Sequence, residues 1–313
     1  MNTPIYEETV STRIKHWIED WIIVPGKIIL RNKKGLVGLA ITLFFVIIAL
    51  IGPATTPEPE SFTCKPYLPP TILQWPPSFD HPLGCDYVGA DIWAQIVYGT
   101  PIVLEIALVA GLITTLLGIL VGMLAGFKGG WIDQVLMAIT DIIMTIPGLP
   151  FLIVLSTVIR VYDPFTTGLL ISIRWWTGLA RSIRSQVLSI KQQDYIEAAK
   201  ALGMRTHYII FSEIMPNLMG YIAINFIFAA IGAIYASVGL YFLGILPITT
   251  TTAYNWGVML NMAYKQAGAL MSLNTMHYVL APIVAIILLQ TGLILLSYSL
   301  DEIFNPRLRT QVK

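Results

Sequence analysis

Charge is what this sequence has least of. Of its 313 residues, 19 are Lys or Arg and 18 are Asp or Glu, together 12%. A soluble globular domain carries about 25%. So few charges cannot clothe a soluble surface. With 56% hydrophobic residues and a mean hydropathy of +0.72, the composition is that of a membrane protein. The net charge of +1 excludes any bulk attraction to nucleic acid. Cysteine is nearly absent, and Cys64 and Cys85 show no zinc-type Cys/His spacing, so no metal site is expected. No GxxxxGK(S/T) loop occurs, so the usual apparatus for cradling ATP is missing. No nucleophile or metal-ligand cluster falls in the apolar runs, and no catalytic residue is expected. Nor is a signal peptide expected: Met1 to Asp20 holds Glu7, Glu8, Arg13, Lys15, Glu19 and Asp20 around no apolar core.

Long apolar runs are what the sequence has in plenty. A spanning helix needs about 20 mostly apolar residues. Six stretches qualify or nearly so: Leu36–Gly52, Ile106–Phe127, Ile142–Ile159, Phe165–Ala180, Leu218–Leu243 and Val279–Leu300. The third contains Pro147 and Pro150, which weaken it. The fourth is interrupted by Arg174. The reading is an all-α integral membrane protein with six transmembrane helices. Residues 1–35 form an arm with an interfacial helix over Trp17–Leu30, broken near Pro25–Gly26. Residues 36–52 are the first span and 53–100 a proline-rich outer loop. Residues 101–300 form the core, and 301–313 a tail. A segment over 192–217 connects spans four and five.

Lys and Arg set the orientation. One side keeps only Lys65, Arg160 and Lys265, and Arg174 lies within the fourth span. All other Lys and Arg fall on the side of the termini. The expectation is a multi-pass protein of the plasma membrane with both termini cytoplasmic. Cys64 and Cys85 then share one outer loop, where disulfides persist. They are either bonded to each other or two unrelated thiols, and the compartment favours the bond.

Inside the spans, Gly118, Gly122 and Gly126 recur at a spacing that lets helix backbones approach closely. In the fifth span Asn225, Ala229, Gly232, Ala236 and Gly239 share one helix face. That face serves helix packing, or else a solute pathway to which Gln290 on the sixth span also belongs. Glu105 and Arg174 are expected to snorkel toward the interface.

The connector between spans four and five reads QQDYIEAAKALGMRTHYIIFSEIMPNL, Gln192 to Leu218. Asp194 to Leu202 favours helix, with Tyr195, Ala198, Ala199 and Leu202 on one face. Gly203 stands where a helix end wants left-handed backbone. Thr206 can start a second short helix running to Pro216. Two short helices about a glycine bend make a stiff knob suited to a groove on another protein, unless they are an ordinary amphipathic connector.

This segment resembles the EAA loop of ABC importer permeases. Glu197, Ala198, Ala199, Gly203, Ile214 and Pro216 stand at that pattern's positions. HPLGCDYVGADIWAQIVYGT (His81 to Thr100) is similar to HPLGTDxxGRDxxSRxxYG, and FNPRLR (Phe304 to Arg309) to LDPRLR. Both narrow the resemblance to C-type subunits of the oligopeptide/dipeptide permease family. Cys85, Ala90, Gln95 and Asn305 depart from it, standing for Thr, Arg, Arg and Asp.

The resemblance implies the type I ABC importer permease fold and import of peptides, with oligosaccharides as the alternative. A stand-alone channel or secondary transporter is more remote, since no carboxylate sits at mid-membrane. It also implies two separate ATPase subunits holding ATP and Mg, a second homologous permease subunit and an extracytoplasmic solute-binding protein, all at a lipid bilayer without nucleic acid. Tyr195, Glu197, Ala198, Ala199, Leu202, Gly203, Met204 and Pro216 become the expected ATPase-coupling residues.

Overall fold

The computed structural model describes residues 31–61, 63–64, 76–159, 161–267 and 275–304. The interfacial helix expected over Trp17–Leu30, part of the proline-rich loop and the tail after Phe304 lie outside the described residues. Among these the regular structure is helical, apart from an isolated bridge between Cys85 and Asp91. Helix α1 spans Lys33–Thr55, α2 Ile92–Lys128, α3 Gly130–Thr145, α4 Gly148–Val158 and α5 Pro164–Ile190. Then come α6 Asp194–Ala201, α7 Thr206–Tyr208, a π-helical turn Ile209–Ile214, α8 Met215–Phe242, α9 Trp256–Lys265 and α10 Met276–Phe304.

Among the described residues four stretches are long and apolar enough to cross a membrane: α1, α2, α7 through α8, and α10. Helices α3 and α4 together make a fifth, bent by 93°. Helix α5 has 27 residues, about 40 Å at 1.5 Å per residue. It has the reach, but Arg174, Arg181 and Arg184 lower its apolarity. With α5 the crossing segments are six.

Two expected boundaries move. Helix α1 runs from Lys33 through Pro53 to Thr55, and α2 begins at Ile92. The outer loop expected over 53–100 therefore contracts to 56–91. Asp91 sets the new boundary, because its side chain accepts from Trp93 N and Ala94 N and caps α2. Pro101 then lies inside α2. The turn before it is braced by Thr100 Oγ1 and Trp256 Nε1, which both donate to Ile96 O, at 2.7 and 3.4 Å. Tyr98 OH likewise reaches Pro53 O and Thr56 O, at 3.1 and 3.2 Å, and closes the end of α1.

The third span is not one helix over Ile142–Ile159. A residue before proline avoids the α region, and Ile146 is extended at φ −75°, ψ 124°. Pro147 follows without an N–H, and the helix restarts at Gly148 in a new direction.

Helix α5 lies along α2. The glycine stripe of α2 makes this possible. A Cβ on Gly118 would strike Leu179, one on Gly122 Ile183 and the Ala180 carbonyl, and one on Gly126 Val187. Apolar side chains from α2, α5 and α8 then fill one core cluster with Ile196 and Ala199 of α6. At the other end, Phe45, Ile92, Ile96, Trp256, Met259 and Leu289 unite α1, α2, α9 and α10.

Candidate functional site

Helix α6 starts with Asp194 and Glu197 in its first turn, where carboxylates complement the helix dipole. It ends in a Schellman motif: Gly203 N donates to Lys200 O at 3.0 Å and Met204 N to Ala199 O at 3.2 Å. Gly203 has φ +73°, as a residue at that position requires. Half-buried Met204 packs back against the cluster that contains Ala199. Beyond the bend the helical register widens. Met215 N bonds Ile210 O, five residues back, directly before Pro216, which has no N–H to continue either pattern. Asn217 Nδ2 supplies Glu213 O instead, at 2.6 Å.

The knob has a dry underside and an exposed top. Ile196 and Ala199, together with Ile209 and Ile214, pack beneath it against Phe127, Ile183, Val187 and Leu218. Lys191 ties the knob's root to α2 by donating to Phe127 O at 2.5 Å, a cation on the last carbonyls of a helix. The outward face carries Tyr195 at 44% exposure, Leu202 at 81%, Tyr208 at 49% and Phe211 at 65%. Glu197 and Ala198 share it.

This divides the face expected for α6. Tyr195, Ala198 and Leu202 do point outward, but Ala199 is buried within the chain, so it cannot line a partner's groove. Sequence reasoning missed Ile196, whose i, i+3 pairing with Ala199 marks the inner stripe. It also missed Tyr208 and Phe211, two aromatics three residues apart in the second half.

The expected pathway residues do not converge. Asn225 Nδ2 is satisfied by Tyr221 O of its own helix at 2.8 Å. Ala229 is half-buried. Gly232 lies directly against the Trp175 ring. Ala236 is buried in a cluster with Ile106 and Leu240. Gln290 is buried on α10, and its Nε2 has no hydrogen-bond partner among the described residues. For Gly232 and Ala236 the packing reading prevails.

At the opposite end, Cys64 and Cys85 are joined by a disulfide with Cα atoms 6.6 Å apart. His81 stands beside them, but sulfurs bonded to each other offer no thiolate to a metal. His81 Nδ1 lies 2.8 Å from Asp91 Oδ2. Asp86 accepts from Val88 N at 2.9 Å, Ala90 N at 2.8 Å and Gln95 Nε2 at 2.7 Å. Burial nevertheless raises its carboxyl above the ordinary 3.8, more than these donors lower it.

Residues 118–310 match the family model described as "Binding-protein-dependent transport system inner membrane component". The dipeptide transport system permease protein of Bacillus subtilis (strain 168) is 34% identical over 236 residues, 74% of this chain and 70% of that one. The oligopeptide transport system permease protein of the same strain is 33% identical over 230 residues, 73% and 72% of the two chains. A glutathione transport system permease protein of Salmonella paratyphi A is 29% identical over 281 residues, 89% and 88%.

Proposed function

The chain belongs to the binding-protein-dependent transport system inner membrane components, the membrane-spanning permease subunits of ABC importers, and from that premise we propose that the solute it passes is a peptide. The similar chains support this over an oligosaccharide, since those named above are permeases for dipeptides, oligopeptides and glutathione.

In this proposal a second, homologous permease completes the pathway. Two ATPase subunits hold ATP and Mg on the cytoplasmic side, where both termini lie. An extracytoplasmic binding protein delivers the solute. The knob of α6, Gly203 and α7 seats in a groove on one ATPase subunit. Glu197 meets a polar or basic group there, and Ala198 allows close approach. Tyr195, Leu202, Tyr208 and Phe211 supply the apolar contact, and Met204 and Pro216 fix the knob's root.

Displacement of the knob passes through Ile196 and Ala199 to α2, α5 and α8 together, because close-packed side chains transmit a shift rather than absorb it. The membrane helices then turn as rigid bodies and switch access from one side to the other.

The observation that carries this reading is Leu202. A large aliphatic side chain stands 81% exposed at the tip of a knob whose underside is packed into three spans. Leu202→Glu in the assembled transporter tests it. Recovery of ATPase chains with the tagged permease is expected to fall at least tenfold, the scale on which loss of a central apolar anchor weakens an interface. Full recovery together with normal peptide-stimulated ATP hydrolysis removes the knob from the coupling interface.

A further inference from the structure

Helix α5 carries three arginines, and two of them have acidic partners on α3. Arg181 pairs with Asp141, and Arg184 with Asp133. The third, Arg174, has only a backbone carbonyl: its Nε donates to Ile146 O at 3.0 Å. No carboxylate pairs with it among the described residues. Ile146 is the residue at which the α3–α4 span breaks.

Arg174 also lies well inside α5, the eleventh of its 27 residues, and not near an end from which it would snorkel to the interface as expected. Counted at 1.5 Å per residue it lies about 15 Å along α5 from Pro164, which is mid-depth in a hydrocarbon core about 30 Å thick when the charged cap Asp163 is taken as the membrane edge. A charge at that depth is costly in lipid, and such residues face protein or water. Broken backbone at membrane depth is tolerated only where protein covers it or a water-filled cavity borders it. Arg174 and the break are thus two observations that place the same elbow away from lipid. Within this chain the elbow is open. Over all of α3 and α4 only Thr140 and Leu152 are buried, and Arg174 itself is half-exposed. Gly148 keeps it so, since a Cβ there would lie 3.2 Å from Arg174 Nη1.

We propose that Arg174, held by the Ile146 carbonyl at the α3–α4 break, is a carboxylate-binding station in the solute pathway that takes the C-terminal carboxylate of the passing peptide. The Nε–H bond to Ile146 orients the guanidinium plane and leaves both terminal nitrogens without a partner among the described residues. Those nitrogens form the fork that matches a carboxylate. The contact is a single one, so it guides the peptide without trapping it. The station rests on the peptide reading given above.

The test uses the complete transporter with its binding protein in proteoliposomes. Uptake of a tripeptide is compared with uptake of its C-terminal amide, each saturating the binding protein. The preference of the binding protein cancels when the acid-to-amide ratio of a variant is divided by that of the wild type. Arg174→Gln is expected to lower this ratio on the order of tenfold, as loss of a hydrogen bond to a charged group does. A ratio equal to the wild type's, with both uptakes falling alike, reduces Arg174 to a brace for the break and overturns the proposal. Where Arg174→Gln does not assemble, Gly148→Ala decides. Crowding Nη1 should lower the ratio about threefold, half the logarithmic effect of the full loss, and a wild-type ratio overturns the station. Wild-type vesicles that accumulate neither solute overturn the peptide reading and the station together. Peptide uptake with an unchanged ratio overturns the station alone.

Discussion

Gly203 is the residue at which local backbone chemistry sets the shape of the knob. Its φ of +73° lies in the left-handed region, which costs an ordinary residue about 1–2 kcal/mol. A Cβ there would meet nothing within 4 Å, so the cost is conformational and not steric. Gly203→Asn should therefore be tolerated, because Asn adopts this conformation readily. Gly203→Val should loosen the knob and uncouple ATP hydrolysis from uptake. The ratio of ATP hydrolysed to solute imported in proteoliposomes measures it, and equal ratios for the Asn and Val variants would discard the account. Asp86 illustrates the opposite case, where environment outweighs local bonding. Gln95, which stands where the resembling pattern has Arg, gives Asp86 a hydrogen bond but no charge, and burial prevails. The folded-state pKa is raised above 3.8, so the folded loop holds the proton more tightly than the unfolded chain does. This contribution to stability is fully present below 3.8 and is lost as pH rises through the raised value. Amide exchange at Val88 and Ala90, corrected for intrinsic rates, should quicken across that rise, and Asp86→Asn should flatten the response. Slower exchange with rising pH would contradict the assignment.

Elements fall into those whose partner is within the chain and those that present a face outward. Helices α2 and α5 are of the first kind. Glycine spacing alone marked a close helix contact, and the fold identifies the other helix as α5. Gly122→Val would drive two methyl groups into Ile183 and the Ala180 carbonyl. An overpacked contact of this sort costs about 1–3 kcal/mol, and a lower midpoint in a thermal aggregation assay of the detergent-solubilised protein should report it. A midpoint equal to the wild type's would mean that α5 moves away freely. Helix α6 is of the second kind, and its helical span and glycine stop were legible in the sequence. Which of its alanines faces inward was not. Ala198 and Ala199 are chemically identical, and apart from the spacing of Ala199 from Ile196 only the position of Ile209, Ile214 and Val187 beneath the helix distinguishes them. The α3–α4 span shows the same limit. Pro147 signals the break at Ile146, while the 93° bend that follows, with Arg174 of another helix donating to Ile146 O, is seen only in the fold.

At the scale of the whole molecule, six crossings place the α6 knob and the Cys64–Cys85 loop at opposite ends. We expect the knob in the cytoplasm, with the disulfide outside. Single cysteines placed at Ala201 and at Ser78 in a Cys64→Ser/Cys85→Ser background test this in intact cells. A membrane-impermeant maleimide should label the Ser78 position and spare Ala201 until the membrane is opened. The reverse pattern would invert the orientation and end the docking proposal. The sequence by itself determined the membrane class, the approximate spans, the sidedness of Lys and Arg and the knob's glycine bend. Each of these depends on composition or on residues a few positions apart, which chemistry along the chain suffices to read. Tertiary structure alone decided that Ala199 is covered and that Arg174 has no carboxylate partner among the described residues. Each of those depends on which side chain a distant helix brings alongside, and spacing along one chain carries no record of that.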